Sequence, residues 1–258
     1  MILVMAEKII GVVGGVGPLA SIQLIKYIFT QTEATSDQEH LRVAMLSFSD
    51  LIPDRTDYII GKGRENPAYQ IVEVIKGLAI GASVVGIPCN TAHAPQIFNK
   101  IIEGVEERDL RVKVLNMVEE ELKFVDMYYS KERCIGLLAT MGTYKSVVYQ
   151  SVFGSEGYEI IVPPEWMQKE IHNAVYNSNY GIKATGTPVS DIAKQKILRT
   201  IEYLIDKGCR CIISGCTELS LAIRDKFEGV ILIDSVFALT RALIREVNPD
   251  KLKTFKPP

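Results

Sequence analysis

The sequence predicts an α/β protein of two similar domains, each a mainly parallel sheet flanked by helices, related by pseudo-twofold symmetry with a candidate active site between them. Three observations predict this. Short β-branched runs alternate with longer amphipathic stretches, the mark of βαβ units. Two segments of the first half recur in the second at nearly one displacement. Both copies of one repeat end a strand in a cysteine, Cys89 and Cys216.

Taken in chain order, the expected strands are Lys8 to Val13, Arg42 to Leu46, Ser83 to Ile87, Val112 to Leu115, Cys134 to Leu138, Glu159 to Val162, Cys211 to Ser214 and Val230 to Ile233. Most are apolar on both faces, as parallel strands buried between helix layers must be. Helices fill the gaps. One is predicted over Pro18 to Gln31 with proline in its first turn, and another over Pro67 to Ile80, where Ile71, Val74, Ile75 and Leu78 share a face.

The repeat fixes the domain organisation. Gly11 to Ser21 resembles Gly136 to Ser146, displaced by 125 residues, and Gly81 to Thr91 resembles Gly208 to Glu218, displaced by 127. Generic glycine turns explain the first match; they explain the second poorly. The first domain is placed at residues 1–118 plus 230–258, carrying Cys89, and the second at 119–229, carrying Cys216. The last strand and helix, Val230 to Val247, are expected to pack back on the first half.

A chain of 258 residues with 47% hydrophobic and 23% charged residues can bury a real core. The formal charge is −2 and the only basic cluster is Lys251, Lys253 and Lys256, so no nucleic-acid partner is expected. No apolar run reaches the roughly 18 residues of a membrane span. The apolar start, Met1 to Met5, runs into Glu7 and Lys8 without the basic region and cleavage site of a secretory signal. Five cysteines without the spacing of a disulfide scaffold read as reduced thiols in the cytoplasm.

In open parallel sheets, functional groups gather at the carboxyl ends of strands, where Cys89 and Cys216 both fall. The start of a following helix favours a thiolate there. Asn90, Thr91 and Thr217, with the neighbouring amides, are placed to hold a carboxylate. Inverting a carbon centre needs a base on one face and an acid on the other, and two pseudo-symmetric halves supply both. The difficult part is the weak acidity of a carbon-bound hydrogen, which calls for stabilising the charge that develops on the carboxylate.

Pro88 to His93 and Gly215 to Leu219 resemble the paired cysteine motifs of the aspartate/glutamate racemase superfamily. Gly14 to Pro18, Ile52 to Tyr58 and Gly136 to Thr143 support the match in order along most of the chain, and the combination most resembles the aspartate racemase branch. The resemblance implies a two-base mechanism without cofactor or metal, Cys89 and Cys216 as the acid/base pair, and a homodimer. It implies a small dicarboxylic amino acid as substrate. Asn90, Thr91 and Thr217 would bind its α-carboxylate, Arg55 and Lys183 its side-chain carboxylate, and Thr140 and Thr143 would line the site. Bottom-up, an arginine and a lysine meet a dicarboxylate's need for more than one cation, although either alone reads equally well as a solvated surface charge. Gly15, His93 and Glu218 are possible supporting residues.

Rival readings use the same residues. Gly15 to Ala20 fits a degenerate dinucleotide fingerprint, but no acidic residue about 20 positions on ends a second strand. Cys89 and His93, with Cys209 or Cys211, fall short of the two compact ligand pairs of a structural zinc site. Cys209 and Cys211 are expected on one face of a strand, packed in the sheet. His93 either orients the Cys89 thiolate or packs as a core histidine, and the second is the plainer reading. Glu218 either tunes Cys216 or caps its helix. Asp54 either directs Arg55 or starts a turn. Trp166 is given no catalytic role, and Tyr144, Tyr149 and Tyr176 read as core or interdomain contacts. Two other function classes stay open: a glutamate racemase, hydantoin racemase or maleate isomerase on the same fold, and a two-lobed dicarboxylate-binding protein that does no chemistry.

Overall fold

In a computed structural model, which describes residues 8–222 and 227–257, the chain forms two four-stranded parallel sheets. The apolar start, Met1 to Met5, lies outside the described residues. The first half contains β1 (Ile10–Gly14), α1 (Pro18–Gln31), β2 (Val43–Ser47), α2 (Arg55–Ile59), α3 (Ala68–Leu78), β3 (Val84–Gly86), α4 (Pro95–Glu107) and β4 (Lys113–Val114). The second begins with α5 (Met117–Tyr129), β5 (Cys134–Ala139), α6 (Met141–Ser146), α7 (Val148–Gly154) and β6 (Glu159–Ile161). It continues with α8 (Glu165–Tyr176), α9 (Ile182–Thr185), α10 (Asp191–Asp206), β7 (Cys211–Gly215), α11 (Leu219–Ala222), β8 (Ile231–Asp234) and α12 (Ser235–Val247). All eight expected strands form, with ends shifted by a residue or two.

The strand orders are β2-β1-β3-β4 and β6-β5-β7-β8. Counted within each half, both read second, first, third, fourth, so the sequence repeat is a repeat of topology. Successive residues of a strand serve opposite faces. Val13 packs with Ile71 and Ile97 on one side of the first sheet, while Val12 packs with Leu24 and Leu243 on the other. In the second sheet Leu137 and Ile213 face Phe124 and Tyr149, and Leu138 and Ile212 face Ile171 and Ile197. Each fully buried Ile or Leu contributes roughly 1.5–3 kcal/mol, which accounts for the near-continuous apolar runs.

The chain end departs from expectation. β8 does not join the first sheet; it pairs in parallel with β7, Cys211 opposite Ile231 through Ser214 opposite Asp234. α12 and the segment after it return to the first half: Leu239 and Leu243 cover Ile10, Val12 and Val84, and Leu252 bridges to Thr32. The reason is the repeat itself, since β8 is the fourth strand that β4 supplies in the first sheet. Asp234 ends the strand and caps the helix, accepting the N–H groups of Val236 and Phe237. Cys209 also departs from expectation. It lies in the turn before β7, so period-two alternation does not reach it. It packs with Ile212 while Cys211 packs with Ile213.

The two halves are in close contact at α6. A Cβ on Gly142 would lie 2.7 Å from Thr56 Oγ1 and 2.7 Å from Thr91 Cγ2, both in the first half. Gly142→Ala is therefore expected to lower stability by about 1–3 kcal/mol through overpacking, read as a lower midpoint of thermal unfolding. An unchanged midpoint would show that the halves separate there without strain.

Candidate active site

In each sheet the strand order reverses between its first and third strands, and such a switch opens a crevice at their carboxyl ends. The two crevices face one another. The glycine turn after β1 and Cys89 after β3 meet Thr140 after β5 and Cys216 after β7. A small, tightly closed pocket lies between them, lined by Val16, Arg55, Cys89, Asn90 and Thr91 from the first half. From the second half come Thr140, Tyr176, Lys183, Cys216, Thr217 and Glu218. Both cysteines thus border one cavity from opposite halves, and both are buried.

Arg55 anchors the first side. Asp54 caps α2 by accepting the Asp57 N–H at 3.0 Å, which starts the helix at Arg55. The guanidinium, 6% exposed, donates through Nη2 to the Val16 carbonyl at 2.6 Å and through Nη1 to the Pro53 carbonyl at 3.3 Å. The Val16 carbonyl is available because Gly15 takes a positive φ of 84°; a side chain there would meet the Phe48 and Ser49 backbone at 2.9 Å. Burial pulls the arginine's pKa down, but the nearby Cys89 sulfur and Asp54 more than reverse this. Arg55 Nε is buried without a partner. Asp54 is held below the usual carboxylate range: burial pushes it up, and Arg55, the Asp57 N–H, Lys183 and Tyr176 outweigh that. Tyr176, from α8, donates to Asp54 Oδ2 at 3.0 Å and ties the halves together.

The Cys216 side is built differently. Its thiol donates to Glu218 Oε2 at 3.1 Å, the Thr217 hydroxyl donates to the same oxygen at 3.1 Å, and Lys183 Nζ sits 3.2 Å from Glu218 Oε1. Burial and the Glu218 carboxylate push the Cys216 thiol well above its ordinary value, with Lys183 only partly opposing them. Glu218 goes the other way. Burial raises it, yet Lys183 and the donated S–H hold it below the usual range. Lys183 is raised in turn, since Glu218 overcomes its burial. Cys216 is therefore a thiol at neutral pH, bound to a carboxylate that is ionised.

Most of the expected site residues converge on the pocket, and three stand apart. Thr143 sits behind Thr91, the two hydroxyls 2.9 Å apart. Gly15 shapes the turn without lining the cavity. His93 faces away: Nε2 pairs with the Ile87 carbonyl at 3.1 Å, Nδ1 accepts the Met117 N–H, and full burial lowers its pKa to about 4. It is a neutral core histidine and does not orient Cys89. Cys209 lies against Cys134, 3.8 Å between sulfurs, so the rival metal set is not assembled. Among the described residues no group of three or more His, Cys, Asp or Glu is placed to hold a metal ion, and no helix is long and apolar enough to cross a membrane.

Sequence reasoning missed four residues that set the site: Tyr176 as a lining group, and Tyr149, Ser235 and Glu121 as the partners of Asn90. The Asn90 amide donates to Tyr149 Oη at 2.6 Å and to Ser235 Oγ at 3.0 Å. Both hydroxyls contact Glu121, which is wholly buried. A signal existed for Glu121, because Val118, Glu121 and Val125 share one helix stripe and a glutamate in an apolar stripe is anomalous.

The model of the Asp/Glu/Hydantoin racemase family matches residues 13–243. The chain belongs to that family. It is 28% identical over 240 residues to the broad specificity amino-acid racemase RacX of Bacillus subtilis, covering 91% of this chain and 96% of that protein. Among solved structures, the aspartate racemase of Picrophilus torridus superposes with a TM-score of 0.76 at 27% identity, covering 93% of this chain and 94% of the other. The glutamate racemase of Francisella tularensis, solved with D-glutamate, shares the fold at a TM-score of 0.66 and 19% identity, covering 98% of this chain and 86% of the other. The racemase fold is thus present over nearly the whole chain, with the two-sulfur pocket at its centre.

Glu218→Gln tests how this racemase-family site holds the Cys216 proton. Removing the carboxylate frees Lys183 to favour the thiolate, so Cys216 should alkylate faster at pH 8 and its pH–rate curve should move to lower pH. Peptide mass spectrometry of iodoacetamide-treated protein reads this, and an unmoved curve would mean that burial alone sets the thiol.

Proposed function

We propose that the protein is a cofactor-independent amino-acid racemase that interconverts L- and D-aspartate by two-base proton transfer at Cα. The observation that carries this reading is that Cys89 and Cys216 border one pocket from opposite halves, together with two cations in its lining, Arg55 buried and Lys183 partly open to solvent. A two-base reaction starts with one thiolate and one thiol. Cys216 holds its proton against Glu218, which gives it the part of the acid in one direction with Cys89 taking the part of the base; the roles exchange after each turnover.

The substrate's two carboxylates need donors in a dry site. Arg55 retains an unused Nε–H, and the ammonium of Lys183 carries three protons, of which Glu218 needs one. Thr91 and Thr217, beside the two sulfurs, would hold the α-carboxylate, where negative charge grows as the Cα–H bond breaks. A dicarboxylate-binding protein would use the same cations but has no need for two sulfurs. A dicarboxylic ligand can use the spare donors of both Arg55 and Lys183, whereas a monocarboxylic amino acid uses those of one, which favours aspartate over the wide substrate range named for RacX.

The test is incubation with L-aspartate in heavy water without added cofactor. Inversion and α-deuterium uptake are expected together, and the absence of both would remove the racemase reading. Cys89→Ser and Cys216→Ser should each lower the rate about 10²–10⁴-fold, the usual worth of a positioned acid or base, with unchanged circular dichroism. A wild-type rate in either variant would sink the two-sulfur mechanism. Arg55→Ala should raise KM for aspartate far more than for alanine; an equal rise for both would make Arg55 a structural residue only.

A further inference from the structure

A buried hydrogen-bond network behind the pocket has one contact more than its hydroxyls and amide can supply with protons. Five contacts join Asn90, Tyr149, Glu121, Ser235 and the Ser214 carbonyl. Asn90 Nδ2 meets Tyr149 Oη at 2.6 Å and Ser235 Oγ at 3.0 Å. Tyr149 Oη meets Glu121 Oε2 at 2.7 Å. Ser235 Oγ meets Glu121 Oε1 at 2.8 Å and the Ser214 carbonyl oxygen at 2.6 Å.

Asn90 brings two protons, Tyr149 one and Ser235 one. The Ser214 carbonyl accepts only, so the 2.6 Å contact takes the Ser235 proton. The Tyr149 proton goes to Glu121 Oε2, and both Asn90 protons are already placed. The remaining contact, Glu121 Oε1 to Ser235 Oγ, then joins two oxygens with no proton unless the glutamate supplies one. Turning the Asn90 amide over removes two donors and deepens the deficit, so the count also fixes which way the amide faces.

We propose that Glu121 is a positioning residue held as a neutral carboxylic acid, whose proton completes this network and locks Asn90 with both N–H groups turned away from the pocket and its Oδ1 presented to an N–H donor of the ligand. Asn90 lines the pocket beside Cys89, and its Oδ1 is buried without a partner. A bare buried acceptor costs about 1–3 kcal/mol until something donates to it. With the racemase reading, on which this identification rests, the donor is the substrate's α-ammonium group. The side-chain amide of Asn90 therefore does not hold the α-carboxylate, and only its backbone N–H remains for that role.

The surroundings agree with the count. Burial pushes the Glu121 carboxyl up to about 8; its contacts with Tyr149 and Ser235 pull the other way, and Asp234 adds to the rise. The ionisable groups facing it are Tyr149 from α7, Asp234 from the end of β8 and Cys211 from β7, and none of these is a cation. The folded carboxyl is raised above its unfolded value of about 4.3. Between those two values the folded chain holds a proton that the unfolded chain has lost, so stability falls as pH rises from 5 to 8.

Glu121→Gln and Glu121→Ala in the full chain separate the alternatives. Glutamine is neutral, donates to Ser235 and accepts from Tyr149, so it reproduces the protonated acid. The thermal midpoint of the wild type should drop more between pH 5 and 8 than that of Glu121→Gln; parallel curves would show that Glu121 is ionised and overturn the proposal. In aspartate α-hydrogen exchange, Glu121→Gln should keep kcat/KM within a few-fold of wild type, while Glu121→Ala should raise KM by about tenfold with kcat less affected. Equal loss in both variants, or a loss confined to kcat, would overturn the positioning role. If wild-type protein exchanges no α-hydrogen, the racemase reading fails by itself, and the pH curves still decide the state of Glu121.

Discussion

Charge buried between the two halves has to be compensated where it lies, and Arg55 is where this constraint acts first. An isolated guanidinium at 6% exposure would cost several kcal/mol. The compensation arrives from three segments at once: the Val16 carbonyl from the glycine turn, the Pro53 carbonyl with the adjacent Asp54 carboxylate, and the Cys89 sulfur. Tyr176 then crosses from the second half to Asp54, and Lys183, 4.9 Å over the Tyr176 ring, stands opposite Glu218. The halves therefore meet through a chain of mutually dependent ions.

Duplication supplies a common frame, but the two halves have diverged where chemistry would need them to. The strand order is the same in both, and the sulfurs follow equivalent strands. Yet the residue two places beyond the sulfur is Thr91 in one half and Glu218 in the other. A threonine places no charge beside Cys89, whereas the glutamate accepts the Cys216 S–H and keeps the proton there. Two sulfurs in identical surroundings would have no fixed assignment of thiol and thiolate. A two-base reaction needs one of each, so the broken symmetry at this position matters as much as the preserved symmetry around it.

The fold was legible because parallel strands buried on both faces have to be continuously apolar, and because topology repeated along with sequence. The same property hid the true partner of β8. A strand apolar on both faces fits either sheet equally well, and only the 2-1-3-4 order decides between them. Within the site, the residues beside Cys89 and Cys216 were legible as local motifs on strand ends. Arg55 and Lys183 were expected as cations, but nothing local indicated that Lys183 would pair with Glu218, 35 positions away. Tyr149 was legible as a core or interdomain contact and Glu121 as an acid in an apolar stripe, but their joint pairing with Ser235 and Asn90 was not, because the contacts span 28 to 145 positions.

The neutral state inferred for Glu121 also bears on how a proton could move in this site. Arg55 and Lys183 are balanced by Asp54 and Glu218, so a Cys89 thiolate and a dicarboxylate ligand already add negative charge to a dry pocket. A further carboxylate behind Asn90, with no cation facing it, would oppose both. Kept protonated, Glu121 adds no charge, and its proton is also isolated from the sulfurs. The link between them is the Asn90 side-chain amide, whose N–H groups neither ionise nor pass a proton onward at neutral pH. A carboxylic acid in direct contact with Cys89 would compete for the proton removed from Cα. Interposing an amide leaves its orienting effect intact, and in the proposed two-thiol reaction it would confine exchange to Cys89 and Cys216.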